Sequence, residues 1–102
     1  MVFGMPVPSP DGKRFVLTSM PDFGSFDPNL IEVWKMVAGK PVKEFSFDAD
    51  DQPWQLSDPV WRDSATIDFI KNSGSDPSKP YVKTRGRLIR IGSAWSFAQL
   101  SR

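Results

Sequence analysis

Ser9-Pro10-Asp11-Gly12-Lys13-Arg14-Phe15-Val16-Leu17 is the stretch from which the architecture can be read. The ring of Pro10 fixes φ near the value needed at the first corner of a tight turn. The carboxylate of Asp11 can accept from the backbone N–H two residues on. Gly12 supplies a positive φ at no steric cost. Phe15-Val16-Leu17 then reads as a buried strand. The unit is a turn followed by a strand.

Working outward, residues 1–8 are apolar and studded with Pro6 and Pro8, which lack a donor, so an edge strand or extended lead-in is expected. Residues 14–20 form the first strand. Residues 20–29 are a loop by composition, and its Phe23 and Phe26 either fold back on the core or form a binding surface. Leu30 to Val37 is a second strand, with Ile31, Val33 and Lys35 on one face and Leu30, Glu32, Trp34 and Met36 on the other. Gly39-Lys40 is a hairpin-like connection. Residues 42–47 return as a strand, with Val42, Glu44 and Ser46 on one face and Lys43, Phe45 and Phe47 on the other.

The second half begins with an acidic loop, residues 48–53, and a stretch, residues 54–60, that Pro53 and Pro59 mark as irregular. A turn over residues 62–65 leads into a strand over 66–71. Residues 72–80 are a loop. Residues 81–84 and 87–91 read as strands on either side of a break at Gly86, Gly92-Ser93 turns, and residues 94–100 close the chain as a strand.

Composition agrees. The 102 residues suffice for one domain with a thin core. Ten prolines and seven glycines with eight Phe and four Trp favour short strands and many corners over long helices. Cysteine and histidine are both absent, which removes disulfides, thiol chemistry, the commonest general base and the commonest metal ligand. No apolar run approaches the ~20 residues of a membrane-spanning helix. The start lacks the basic and apolar blocks of a signal peptide, so a cytoplasmic location is expected, or a periplasmic or secreted one if a leader has been trimmed. Residues 1–51 carry five Lys/Arg against eight Asp/Glu, a net of −3, and residues 52–102 carry eight against four, a net of +4. That asymmetry suits head-to-tail self-association or an anionic ligand on the second half.

The turn-strand unit recurs. Residues 7–17 and 60–70 both run apolar, polar turn, apolar strand, and Phe45-Ser46-Phe47 answers Trp95-Ser96-Phe97 fifty residues later. A period of that size is typical of propeller blades. Residues 7–47 resemble one blade of a WD40- or TolB-like β-propeller, in which Ser9-Pro10-Asp11-Gly12-Lys13 stands where such blades link the innermost strand to the next. Ile31-Glu32-Val33-Trp34 matches their third strand. The second half matches loosely, with Asp63-Ser64 in place of Asp-Gly. The resemblance implies a scaffold for protein or peptide recognition. Two blades cannot close a ring. The expected fold is therefore all-β: about eight short antiparallel strands in two blade-like four-stranded units, residues 1–51 and 52–102, packed as one sandwich or barrel-like domain.

The expected function is a non-enzymatic protein- or peptide-binding module that works as a homo-oligomer, because unprotected edges and exposed aromatics need cover. Its binding-surface candidates are Phe23, Phe26, Trp54 and Trp61, although burial in the core is the better explanation of the two tryptophans. The alternative is a polyanion or single-stranded nucleic acid on the basic second half. Lys83, Arg85 and Arg87 share a face if the strand is continuous, Arg90 follows, and Tyr81 and Trp95 offer stacking surfaces. Near-neutral overall charge weighs against nucleic acid. A weaker alternative is a carboxylate-dependent hydrolase built on Glu32 and Glu44, whose competing explanation is a cross-strand pair of Glu44 with Lys35 or Arg14. Asp48, Asp50 and Asp51 offer oxygens to a hard cation but lack the glycine and distal glutamate of a calcium loop, so a solvated acidic turn is expected. No cofactor is implied.

Overall fold

The computed structural model describes residues 6–19, 29–49, 54–73 and 82–98, all in strands, turns and short connections. The fold is all-β. Strands β1 (Val7–Pro8), β2 (Arg14–Ser19), β3 (Leu30–Val37) and β4 (Lys40–Asp48) form one antiparallel sheet in that order. Strands β5 (Trp54–Asp63), β6 (Thr66–Ser73), β7 (Val82–Ile91) and β8 (Ala94–Ala98) form a second sheet in the same order. The two meanders face each other as a sandwich and do not close into a barrel. Among the described residues no helix is long and apolar enough to cross a membrane.

The first corner is built as its sequence demands. The Gly12 N–H donates to the Ser9 carbonyl at 3.0 Å, and Gly12 takes φ +72°. The Lys13 N–H donates to the Asp11 carboxylate at 3.0 Å, and the Ser9 hydroxyl donates to the same oxygen at 2.7 Å. The Asp11 carboxyl sits below its ordinary value, chiefly through the Ser9 hydrogen bond. The next corner lies one residue earlier than expected. Val37 pairs with Lys40, and Ala38 and Gly39 both carry positive φ, the two-residue geometry that matches strand twist.

An up-and-down chain alternates its connections between two ends. The tight turns after β1, β3, β5 and β7 therefore share one end of the sandwich, and the end of β2 with the start of β3, the end of β4 with the start of β5 and the end of β6 with the start of β7 share the other. Each end is stitched across the sheets. Near the tight-turn end the Trp61 indole N–H donates to the Val7 carbonyl at 2.8 Å. At the other end buried Asn29 donates to the Ala49 and Trp54 carbonyls at 3.0 and 2.8 Å and accepts from the Leu56 N–H at 3.0 Å. One amide thus satisfies three backbone groups that burial would otherwise leave unpaired.

The core lies between the sheets and consists of Val16, Ile31, Val33, Ala49, Leu56, Ile67, Phe69, Leu88 and Trp95. Apart from Ala49, which follows β4, these come from the inward positions of the period-two alternation. Phe47, Phe69 and Phe97 meet edge to face, with Phe47–Phe97 centroids 4.7 Å apart. The Phe-Ser-Phe and Trp-Ser-Phe segments of β4 and β8 thus both turn their aromatics inward.

Three expectations are corrected. Residues 54–60 are not irregular: β5 runs through them, and Pro59 is absorbed where the register shifts between Ser57 and Val60 beside a left-handed Asp58 at φ +55°. Gly86 does not break a strand: β7 is continuous, and Gly86 lies opposite Phe69 with the Phe69 ring over it. A Cβ at Gly86 would fall inside that ring's van der Waals envelope. Finally, Glu44 does not share a face with Ser46. The register slips between Val33 and Trp34, so Glu44 is the extra residue of a bulge and turns inward beside Phe45.

Candidate functional site

The sandwich holds two charge clusters. The first is interior. The bulge at Glu44 aims its carboxylate between the sheets, where Oε1 accepts from Arg14 Nε at 2.7 Å and from the Trp95 indole at 2.7 Å, and Oε2 accepts from Arg14 at 3.1 Å. The Arg14 and Glu44 side chains are 7% and 8% exposed. Burial pushes the Glu44 carboxyl up, but the hydrogen bonds from Arg14 and Trp95 outweigh it and hold the group below its ordinary value. The carboxylate thus accepts from both sheets, through Arg14 of the first and Trp95 of the second.

Glu32 occupies the opposite face of the same sheet. It accepts from the Trp34 indole at 3.1 Å and pairs with Lys43 at 3.2 Å, while Lys43 lies over the Trp34 ring and Phe15 stacks on it. The two glutamates therefore do not face one another across a shared cleft, as a carboxylate pair acting on one glycosidic bond must.

The second cluster is on the outer face of the second sheet. Asp68 of β6 is 4% exposed and sits opposite Arg87 of β7. Arg87 donates through Nε and Nη2 at 2.6 and 3.1 Å, and Arg62 of β5 donates through Nε at 2.7 Å. The Arg87 hydrogen bond, with that of Arg62 and despite burial, holds the Asp68 carboxyl down to about 2. Because β7 is continuous, Arg85 and Lys83 share this face with Arg87, and both are exposed. Arg90 points the other way. Its guanidinium donates to the Gly92 and Ser64 carbonyls at 2.7 and 3.2 Å, tying two tight turns together. Trp95 is also on the inner face and buried, so it offers no base a stacking surface beside the three cations.

Both candidate tryptophans are half-buried against the core. Trp54 stacks on Phe47 with Lys71 4.8 Å above its ring, and Trp61 meets Trp95 edge to face at 5.9 Å. Phe23, Phe26, Asp50, Asp51 and Tyr81 lie outside the described residues. Asp48 ends β4 opposite Leu30 and is engaged within the protein. Among the described residues no three His, Cys, Asp or Glu side chains form a group able to hold a metal.

The four sheet edges differ. β1 has two residues and is flanked by Pro6 and contains Pro8. β4 carries Lys40, Pro41, Lys43 and the Glu44 bulge, and β5 carries Pro59, left-handed Asp58 and two register shifts. Each of these devices discourages strand addition. β8, Ala94-Trp95-Ser96-Phe97-Ala98, has no charge, no proline and an unbroken register with β7. The Arg90 N–H donates to the Ala65 carbonyl, so the backbone groups of Arg90 face β6 and those of Ile89 and Ile91 face β8. Their partners Ser96 and Ala94 spend their backbone groups on β7, and Trp95 and Phe97 turn theirs to the open edge. Composition shows aromatic burial in this strand, but the register needed to find its free donors is not visible in the sequence.

No family model matches the chain, and no curated protein or solved structure matches it.

Proposed function

We propose that the protein is a non-enzymatic interaction module that pairs with a second copy of itself through the β8 edge. Among the described residues the β8 edge carries no blunting device, whereas the other three edges do, and this supports the reading. The order of residues along β8 supports it further. A two-fold axis through Ser96 sets Trp95 against Phe97 of the second copy and Ala94 against its Ala98. The outward backbone groups of Trp95 and Phe97 then meet as hydrogen-bonded pairs, aromatics oppose aromatics on the core side, and small residues oppose small ones outside. Phe97, 39% exposed, gains cover. A propeller-like scaffold role in protein recognition is consistent with the same edge.

Light scattering on a sizing column tests this. The wild-type protein is expected to run as a dimer. Ser96 is exposed and faces outward, so Ser96→Lys leaves the core alone and sets two lysines opposite each other across the axis. Ser96→Lys and Ser96→Glu alone are each expected to be monomers, and an equimolar mixture to be a dimer. A monomeric wild type, or a Ser96→Lys variant that remains dimeric, rules the edge out.

A further inference from the structure

We infer that the outer face of the second sheet binds a linear polyanion whose charge sits on tetrahedral oxyanion groups, gripping those groups without stacking bases. The inference is independent of the β8 pairing. Four cations share this face: Arg62, Arg87, Arg85 and Lys83. Successive same-face residues on a strand stand roughly 6.5–7 Å apart, so the three on β7 form a regular row. Its acidic residues among those described are Asp68, whose carboxylate is committed to two arginines, Asp63, at the turn, and exposed Asp58, whose carboxylate accepts from the Ser57 hydroxyl on this face.

Asp68 does more than neutralise. It holds both guanidiniums by Nε, which fixes their planes and leaves the Nη atoms of Arg62 and Nη1 of Arg87 without a protein partner among the described residues. The side chains remain 52% and 31% exposed. Arg85 and Lys83 make no hydrogen bond or ion pair among the described residues. Fixed guanidiniums lose less freedom on meeting an oxyanion, and their planar forks match sulfate and phosphate esters. The other described residues of this face are aliphatic, such as Ile70, Ile89 and Val60, or small and polar, such as Ser57, Asn72 and Ser96, and none is aromatic. Among the described residues, charge is therefore what this face offers a ligand.

Heparin is the probe. The wild type is expected to bind it with an affinity that falls steeply with salt. The double variant Lys83→Gln/Arg85→Gln removes two exposed side chains without touching the Asp68 cluster. It is expected to weaken binding about tenfold and to lower the slope of log K against log salt by about two. Lys40→Gln, on the first sheet, is expected to bind as wild type. An oligo-dT and an abasic oligonucleotide of equal length are expected to bind alike. Failure to bind heparin, an unchanged double variant, or a clear preference for oligo-dT over its abasic counterpart each overturns the inference.

Discussion

In the first sheet the acidic side chain that links strands, Glu44, points into the core and is sealed by Arg14 and Trp95; in the second, Asp68 points outward and is held between Arg62 and Arg87. Both sheets are four-stranded meanders with tight turns at the same end. The difference arises from one residue of register. Without a bulge, Glu44 would face outward like Ser46, much as Asp68 does; the bulge turns it inward. The first sheet thus turns its carboxylate toward Trp95 of the second, and the second keeps Arg62 and Arg87 where solvent reaches them.

The largest effect should come from breaking the interior pair. Glu44→Ala leaves the Arg14 guanidinium and the Trp95 indole buried without an acceptor, and should cost about 3–5 kcal/mol in urea denaturation. Replacing both ends, Arg14→Met with Glu44→Leu, should cost much less, because no buried charge is left stranded. If the double variant is as unstable as the single one, the stranded Arg14 charge is not what destabilises Glu44→Ala, and the loss lies instead in the Trp95 hydrogen bond that both variants remove.

The same rung of the two sheets is filled differently. Val16 faces Val33 in the first, and Phe69 faces Gly86 in the second, each pair separated by seventeen residues. A large ring with no neighbouring side chain takes the place of two medium ones. Gly86→Val should drive the Phe69 ring from its site and cost about 3 kcal/mol, the upper end for overpacking. Adding Phe69→Val recreates the Val–Val rung of the first sheet. The double variant should then lose less than the sum of the two single ones, by about 1–3 kcal/mol in a denaturation cycle. Strict additivity would show that the ring is not the obstacle.

These pairings also explain what the sequence could and could not reveal. Leu30 to Val37 was legible because its apolar run lies between turn residues, and the observed β3 has those bounds. The Ser9–Gly12 corner was legible because each residue's role is local. β5 was not, because Pro59 reads as a breaker and the bulge that accommodates it depends on β6. Gly86 reads as a break until the Phe69 ring, seventeen residues earlier, is placed over it. The alternation of Lys83, Arg85 and Arg87 was visible as period two, whereas the parts of Arg62 and Asp68 required the registers of β5, β6 and β7.

The smallest effect should come from the outward cluster, and it carries a pH signature. The Asp68 carboxyl lies at about 2 in the folded protein against an ordinary 3.8. A depressed folded value means that ionisation favours folding. The contribution is complete above the unfolded value, and it fades as pH falls from there toward 2. The full shift corresponds to roughly 2.4 kcal/mol, and solvent around half-exposed Arg62 and Arg87 reduces this to about 1–2 kcal/mol. Asp68→Asn should therefore destabilise by about that amount at pH 7 and by little near pH 2. Glu44, also depressed, titrates in the same direction and leaves the variant with some acid sensitivity. The measurement is the difference between wild type and Asp68→Asn in urea midpoints across that range. If the difference stays constant with pH, Asp68 stabilises by packing, and its carboxylate is not what holds Arg62 and Arg87 in place.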